Sequence, residues 1–396
     1  AIGTILLGVV SGFAAVNLPL RETMLTLVGL AAFSIMLFDP NLMIIALLAV
    51  SSTLFDYRTL PYLFGFSSPE LVVYLLLGYV LINRLSSGEH FVHTPLDWPI
   101  FLFVGATIVS FLNAKYNLGT VSMFRNLVTR TMLLYLVFFA VTNLVKTRRQ
   151  LMRLLGGMFV MATITAGFMV AQQAVGSATS ILPAQAQIHN ATALGQELVG
   201  VGRISIPGIA LVYVMLFPAF VLQTTPEYMK SRKWLSLIPV VLFILAIAFT
   251  FTRGLWIGAI LSTLVFVIIG GGKSKKIVLL MLALVIVAYL LVPLLGAYVP
   301  RVDTIVEGLL ARLGSLFAGD ELVYDASTQW RLEENRLALA KFREYPIMGI
   351  GPGADYRASW YDGDDLMYYV HNAYLWLLVN FGLIGFIPFL WFSITY

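Results

Sequence analysis

The sequence predicts an all-α polytopic membrane protein of about twelve transmembrane helices, with one large extracytoplasmic loop carrying short helices. Three observations support this. Hydrophobic residues make up 59% of the 396 and charged residues 11%, with a mean hydropathy of +0.89, far outside the range of soluble domains. Apolar runs recur at the length a bilayer demands, since about 30 Å of hydrocarbon takes roughly 20 residues at about 1.5 Å each. Basic residues cluster in the short loops in an order that defines one membrane face. Cysteine is absent, which excludes a disulfide framework or thiolate metal site and leaves the chain indifferent to redox compartment.

The candidate spans centre near residues 10, 30, 47, 77, 105, 137, 163, 215, 243, 262, 287 and 384. The chain opens at Ala1 in an apolar run without the basic n-region or cleavage site of a secretory signal, so that run reads as a first span. It stops in another at Tyr396, and further residues are expected after it.

Sidedness follows from three basic clusters: Lys146, Arg148, Arg149 and Arg153; Lys230, Arg232 and Lys233; Lys273, Lys275 and Lys276. Two spans separate each cluster from the next, so all share one face, cytoplasmic by the positive-inside rule. Loops at 176–206, around 253 and at 297–370 then lie outside, with both chain ends inside. The expected organisation is 1–175, N-terminal transmembrane helices; 176–296, central transmembrane helices with outer-face arginines; 297–370, an extracytoplasmic loop domain; and 371–396, a final transmembrane helix.

Between Leu235 and Gly272 the only charge is Arg253. As a single helix this stretch would measure about 57 Å, nearly twice the hydrocarbon thickness. The chain must turn back, and TFTRGLW supplies a turn at Gly254, which leaves Arg253 at the outer lip of a helical hairpin. In the long outer loop, PRVDTIVEGLLARLGSLF has apolar residues at Val302, Ile305, Val306, Leu309, Leu313, Leu316 and Phe317. That is helical spacing, for a helix that lies on the membrane surface or roofs a cavity. A second helix is expected from Ser327 to about Glu344, capped by Ser327 or Thr328 and ended before Pro346.

Arg203, Arg253 and His371 come from separate parts of the chain, yet all fall at outer span ends. Two guanidiniums suit a diphosphate through forked, charge-assisted hydrogen bonds, and a neutral imidazole can accept a proton from an attacking hydroxyl. Each also has a plainer reading: Arg203 as a loop charge, Arg253 as a snorkelling interfacial arginine, His371 as a helix-terminal residue bonded to a carbonyl, Asn372 as an N-cap. PIMGIGPG follows a helix and lacks the P-loop lysine, so a tight turn is favoured over a phosphate cradle. Asp362, Asp364 and Asp365 in YDGDDL have the types to bind a divalent ion, although acidic loops are usually just solvated. His90 and His93 are spaced like a metal pair but have few other ligands nearby, which favours a structural or solvent role, and no metal is assigned. Asn190-Ala191-Thr192 matches the glycosylation triplet, a pattern common by chance.

Taken in order, GRISIPG, FTRGLW, the Arg331 to Arg336 run leading into YPIMGIGPG, and HNAYLWLLVNFGLIG resemble the O-antigen ligase and O-antigen polymerase superfamily of bacterial membrane glycosyltransferases. The resemblance covers roughly 195–390. It implies a GT-C-like enzyme of the bacterial cytoplasmic (inner) membrane, multi-pass, with its active site facing the periplasm or cell exterior. Such an enzyme transfers a glycan from a polyprenyl (undecaprenyl) diphosphate carrier to an acceptor hydroxyl, by inversion and without metal or other cofactor. Its partners would be the carrier-linked glycan donor, a glycan or lipid-linked acceptor and the bilayer, with no nucleic acid. By position, Arg203 and Arg253 match its diphosphate-binding arginines, His371 its catalytic base, and Arg331 an arginine of the outer-loop helix, with Asn372 in support. The segment before Arg203 departs from the family pattern. A secondary transporter or flippase of lipid-linked oligosaccharide is the competing class. It calls for internal repeats and midplane charges, whereas here no repeat is evident and the notable charges sit at the outer lip.

Overall fold

The computed structural model describes residues 12, 40–49, 51, 54, 67–118, 136–176, 179–182, 187–193, 196–224, 237–296, 302–314, 326–360 and 366–396. In chain order its elements are α1 (Pro40–Leu48), α2 (Ser68–Ser87), α3 (Asp97–Asn113), α4 (Arg148–Val175), β1 (Gln187–Ala193), β2 (Gln196–Ser205), α5 (Ile209–Thr224), α6 (Leu237–Ala248), α7 (Arg253–Gly296), α8 (Val302–Gly314), α9 (Ala326–Glu344) and α10 (Ala373–Thr395). Residues 136–144 are also helical. Among the described residues five helices are long and apolar enough to cross a membrane, at 69–87, 97–116, 148–175, 253–272 and 373–395, and α5 and α6 are shorter apolar helices. Each expected span centre from 47 onward falls in a helix, and those near 10 and 30 lie outside the described residues.

The all-α expectation needs one correction. Within the 176–206 loop, β1 and β2 pair as an antiparallel hairpin, with a register shift between Asn190 and Ala191. Val199, Val201, Ile204 and Ile188 are β-branched residues in a short segment with turn residues around it, and that suits a pleated surface better than a helix.

The chain divides into two compact units, Ala1–Val72 with Thr147–Gly319, and Val73–Lys146 with Asp320–Tyr396. In the first, α4, α5, α6 and α7 pack together and α1 lies on α4. Lipid is as apolar as leucine, so helices associate in it by close packing of small residues rather than by the hydrophobic effect. Accordingly Ala162, Ala166, Ala219 and Ala246 are buried at the contacts, while Phe220 and Phe266 stack at 5.2 Å to fill the space they leave. A capping box between Thr147 and Gln150 opens α4. Arg148 and Arg149 follow it at the helix N-terminus, where the dipole disfavours cations, so sidedness explains them better than helix electrostatics does.

The hairpin expected at Gly254 turns slightly earlier, over 249–252, with Phe251 at φ 48°. A bulky residue rarely adopts a positive φ. Phe251 is held there by burial against Val201, Ile305 and Leu309. The loop expected at Lys273–Lys276 is reduced to a kink in α7 at Gly271, whose carbonyl accepts from Ser274 Oγ at 2.7 Å.

The second unit is built around a break in α10 at Gly382, φ 58°. The turn after α9 runs against this break. Ile350 N–H donates to Val379 O at 2.8 Å and Gly351 N–H to Asn380 O at 3.0 Å; in return Leu383 N–H donates to Pro346 O at 2.9 Å. From α3, Ser110 Oγ adds a bond to Asn380 O at 2.6 Å. PIMGIGPG is therefore the tight turn expected after a helix, and it also serves as a backbone partner for a broken span. α9 ends at Glu344 as expected, but it begins at Ala326, so Ser327 and Thr328 lie inside its first turn instead of capping it. Elsewhere in this unit the buried Arg84 donates to Glu89, to His90 O at 2.9 Å and to Asn143 O at 3.0 Å, which pins the α2–α3 loop.

A Cβ on Gly382 would stand 2.2 Å from Ile347 O, whereas one on Gly78 of α2 meets nothing within 4 Å. Gly382→Ala is expected to destabilise the detergent-solubilised protein by about 1 kcal/mol or more, read as a lower Tm, and Gly78→Ala to leave Tm unchanged or slightly raised.

Candidate functional site

Arg203 sits on β2 opposite His189 in the register. Strand alternation sends Ile204 to one face, where it is buried in the α4–α5–α6 core, and Val201 and Arg203 to the other. On that second face Val201 packs with Phe251 and with Ile305 and Leu309 of α8. The Ile204 amide donates to Phe249 O at 3.0 Å, stitching the strand to the α6–α7 turn. Arg253 is the first residue after that turn and is half-buried, with its Nε shielded from solvent. Arg312 of α8 donates from Nε to Phe251 O at 3.2 Å, and Trp256 Nε1 donates to Ile247 O at 3.0 Å. β2, the start of α7 and α8 thus meet around one turn, each element carrying an arginine: Arg203, Arg253 and Arg312. Arg203 is half-buried and has no hydrogen-bond or ion-pair partner among the described residues.

Beside this corner lies a cavity of about 670 Å³, lined by Leu216, Ile247, Trp256, Ile260, Thr263 and Leu309 among others from α5 to α8. Its size is typical of a ligand pocket. The lining is almost wholly apolar, and α8 roofs it with Leu309, Leu310 and Leu313, one of the two roles the amphipathic pattern allowed. A chamber with this lining has the chemistry for an apolar chain.

The second unit holds His371 and its acidic partner. His371 Nδ1 is 2.6 Å from Glu334 Oε2. Glu334 shares the buried stripe of α9 with Ala338, four residues on, and is only 3% exposed. A carboxylate so buried requires a partner, and the imidazole supplies it. The His371 side chain is itself 48% exposed, so it faces both the acid and the surroundings. Asn372 caps α10, its Oδ1 accepting from Tyr374 N–H at 3.1 Å and Leu375 N–H at 3.3 Å, which fixes the backbone immediately after His371. Glu334 is the residue that sequence reading passed over. Its signal was an acid on one face of a predicted helix, spaced with Trp330, Leu337 and Ala338.

Arg203 and Arg253 belong to the first unit, and Arg331, His371 and Asn372 to the second. Arg331 is exposed on α9, three residues before Glu334. His90 contributes its backbone carbonyl to Arg84, and His93 Nδ1 lies 3.6 Å from Asp97. Asp362, Asp364 and Asp365 lie outside the described residues. Among the described residues no cluster of three His, Cys, Asp or Glu side chains has metal-binding geometry. The Asn190 triplet lies on β1 rather than on an open loop.

The chain matches no curated protein and no solved structure. Residues 238–390 match the family model described as O-antigen ligase. That stretch includes Arg253, Arg312, Arg331, Glu334, His371 and Asn372 and leaves out Arg203. Over residues 238–390 the chain is thus similar to the O-antigen ligase family, which supports the resemblance read from its motifs.

Proposed function

We propose that this chain moves a glycan from a polyprenyl diphosphate carrier to an acceptor hydroxyl at the outer face of the cytoplasmic membrane, as an O-antigen ligase-type or polysaccharide polymerase-type enzyme. The observation that carries this reading is the His371–Glu334 hydrogen bond. With Glu334 ionised, the proton on Nδ1 is held by the carboxylate and Nε2 keeps its lone pair for a hydroxyl proton. In the proposed step the acceptor oxygen attacks the anomeric carbon from the side opposite the diphosphate, so the configuration inverts. The bond from that carbon to the phosphate oxygen breaks, its electron pair leaves with the polyprenyl diphosphate, and Nε2 takes the acceptor proton. Glu334 then faces an imidazolium and stabilises it.

The leaving diphosphate gains charge as the bond breaks, and fixed donors aimed at that charge lower the barrier. Arg203 and Arg253 are assigned to it. Their forked guanidiniums supply the positive charge that a divalent ion supplies elsewhere, so the reaction is proposed to be metal-independent. The apolar cavity supports this assignment, because α7 carries Arg253 at its first turn and lines the cavity with its next three. An isoprenoid chain can lie there with its headgroup at the arginines.

His371→Ala is expected to cut transfer from a defined lipid-linked donor by about 10²–10⁴-fold, compared at equal amounts of folded protein. Glu334→Gln should lower kcat with the donor KM unchanged, and Glu334→Asp should recover part of it; transfer at the wild-type rate in His371→Ala would remove the base assignment.

Arg203→Ala and Arg253→Ala are each expected to raise the donor KM about tenfold or more, and Lys at either position to restore only part of the loss, since an ammonium lacks the fork. Steady-state kinetics on polyprenyl diphosphate donors of fixed glycan checks this. Wild-type activity is expected to survive excess chelator; its loss would return Asp362, Asp364 and Asp365 to the site.

A further inference from the structure

We propose that Trp330 and Trp360, braced by Arg357, form a platform on which a pyranose ring of the acceptor glycan stacks, next to the sugar whose hydroxyl His371 deprotonates, an inference that rests on the transferase reading above. Trp330 projects from α9 at 45% exposure, and its ring meets that of Trp360 edge to face, centroids 4.4 Å apart at 88°. The Arg357 guanidinium lies 3.8 Å from the Trp360 ring centroid. Arg357 is itself 9% exposed, and its Nη1 donates to Ala358 O at 3.1 Å. Trp360 is therefore clamped between a buried cation and a second indole, an arrangement that fixes the rings before any ligand arrives.

The surroundings suit a sugar better than a lipid. α9 carries Arg331, Glu333, Arg336, Lys341, Arg343 and Glu344, so charged side chains flank the exposed indole. A pyranose presents apolar C–H bonds on its face and hydroxyls around its rim. The face suits an indole, and the rim suits the charged side chains that flank it.

Position ties the platform to the base. Trp330 and Glu334 are four residues apart on one helix face, about 5–6 Å between Cβ atoms, close to the width of one sugar ring. Glu334 holds His371. Tyr356 N–H donates to Met367 O at 3.1 Å, which links the segment bearing Arg357 and Trp360 to the one that leads into His371. Tyr369, 43% exposed, sets its ring edge to face against His371 at 5.1 Å. Two aromatic pairs thus bracket Glu334, one containing the base and the other a sugar's width away.

The test is calorimetric titration of the purified full chain in detergent with oligosaccharides released by mild acid from the host's own surface glycan. Trp330→Ala is expected to weaken binding about tenfold or more and to raise the acceptor KM with kcat near wild type, and Trp330→Tyr, which keeps an aromatic face, to stay within a few-fold of wild type. Equal binding by wild type and Trp330→Ala, as expected if Trp330 only anchors the membrane interface, overturns the platform, and so does a wild type that binds none of these oligosaccharides. Trp330-dependent binding without transfer by the wild type supports the platform while the transferase reading falls.

Discussion

α10 cannot close its own hydrogen bonds across Gly382, and hydrocarbon offers no water to close them instead. The rest of the second unit follows from that constraint. The carbonyls of Val379 and Asn380 need donors and the amides of Leu383 and Ile384 need acceptors; the turn from Pro346 to Gly351 supplies both. Because each partner is backbone, the two chains must approach closely, and glycine stands at 349 and 382, where a Cβ would meet a carbonyl oxygen. The turn leads straight out of α9, so fixing it fixes that helix against α10 through the cluster of Ala338, Ile350 and Val379. Glu334, one turn before Ala338, is then held where His371 begins the last span. The dyad depends on how a broken membrane helix finds its missing partners.

The first unit meets the same difficulty with different residues. Its turn at 249–252 also leaves backbone carbonyls in apolar surroundings, but no glycine relieves it and Phe251 takes the positive φ. Three donors arrive from three directions: the Ile204 amide, the Arg312 guanidinium and the Trp256 indole. Each has another consequence. The strand amide brings Arg203 to the corner, Arg312 lays α8 over the apolar cavity, and Trp256 forms part of that cavity's wall. Satisfying the turn brings three arginine-bearing elements to the edge of an apolar chamber.

Periodicity made the helices legible. α8 lies within the stretch that spacing marked out, α9 starts one residue before its expected start and ends where expected, and every described span centre is helical. What stayed hidden was decided by contacts distant in sequence. The β1–β2 hairpin is short and sits in a loop between apolar spans, and it is fixed to the fold by the bond to Phe249 and by the packing of Val201 and Ile204, which local pattern cannot announce. Arg253 was visible because a lone charge in a long apolar stretch costs about 2.5–3.5 kcal/mol at the bilayer centre. Glu334 was not, because an acid in a charged helix looks solvated until its buried face is known. His371 stood out by rarity, and the carbonyl partner that one reading gave it proved to be a carboxylate.

That difference of partner matters chemically. A carbonyl bonded to Nδ1 would fix the tautomer and do no more, since a neutral dipole changes little when the ring gains a charge. A carboxylate can do both: in the proposed step it holds the proton on Nδ1 before reaction and would stand beside a full positive charge once Nε2 had been protonated. Burial sharpens the effect, because Glu334 at 3% exposure has little water to share its interaction with the ring. The acid in turn needs the imidazole, since without it an ionised carboxylate would be stranded in the packed face of α9. Stability and chemistry therefore place the same demand on this pair, which explains a histidine at the mouth of a span that carries no further ionisable side chain except tyrosine.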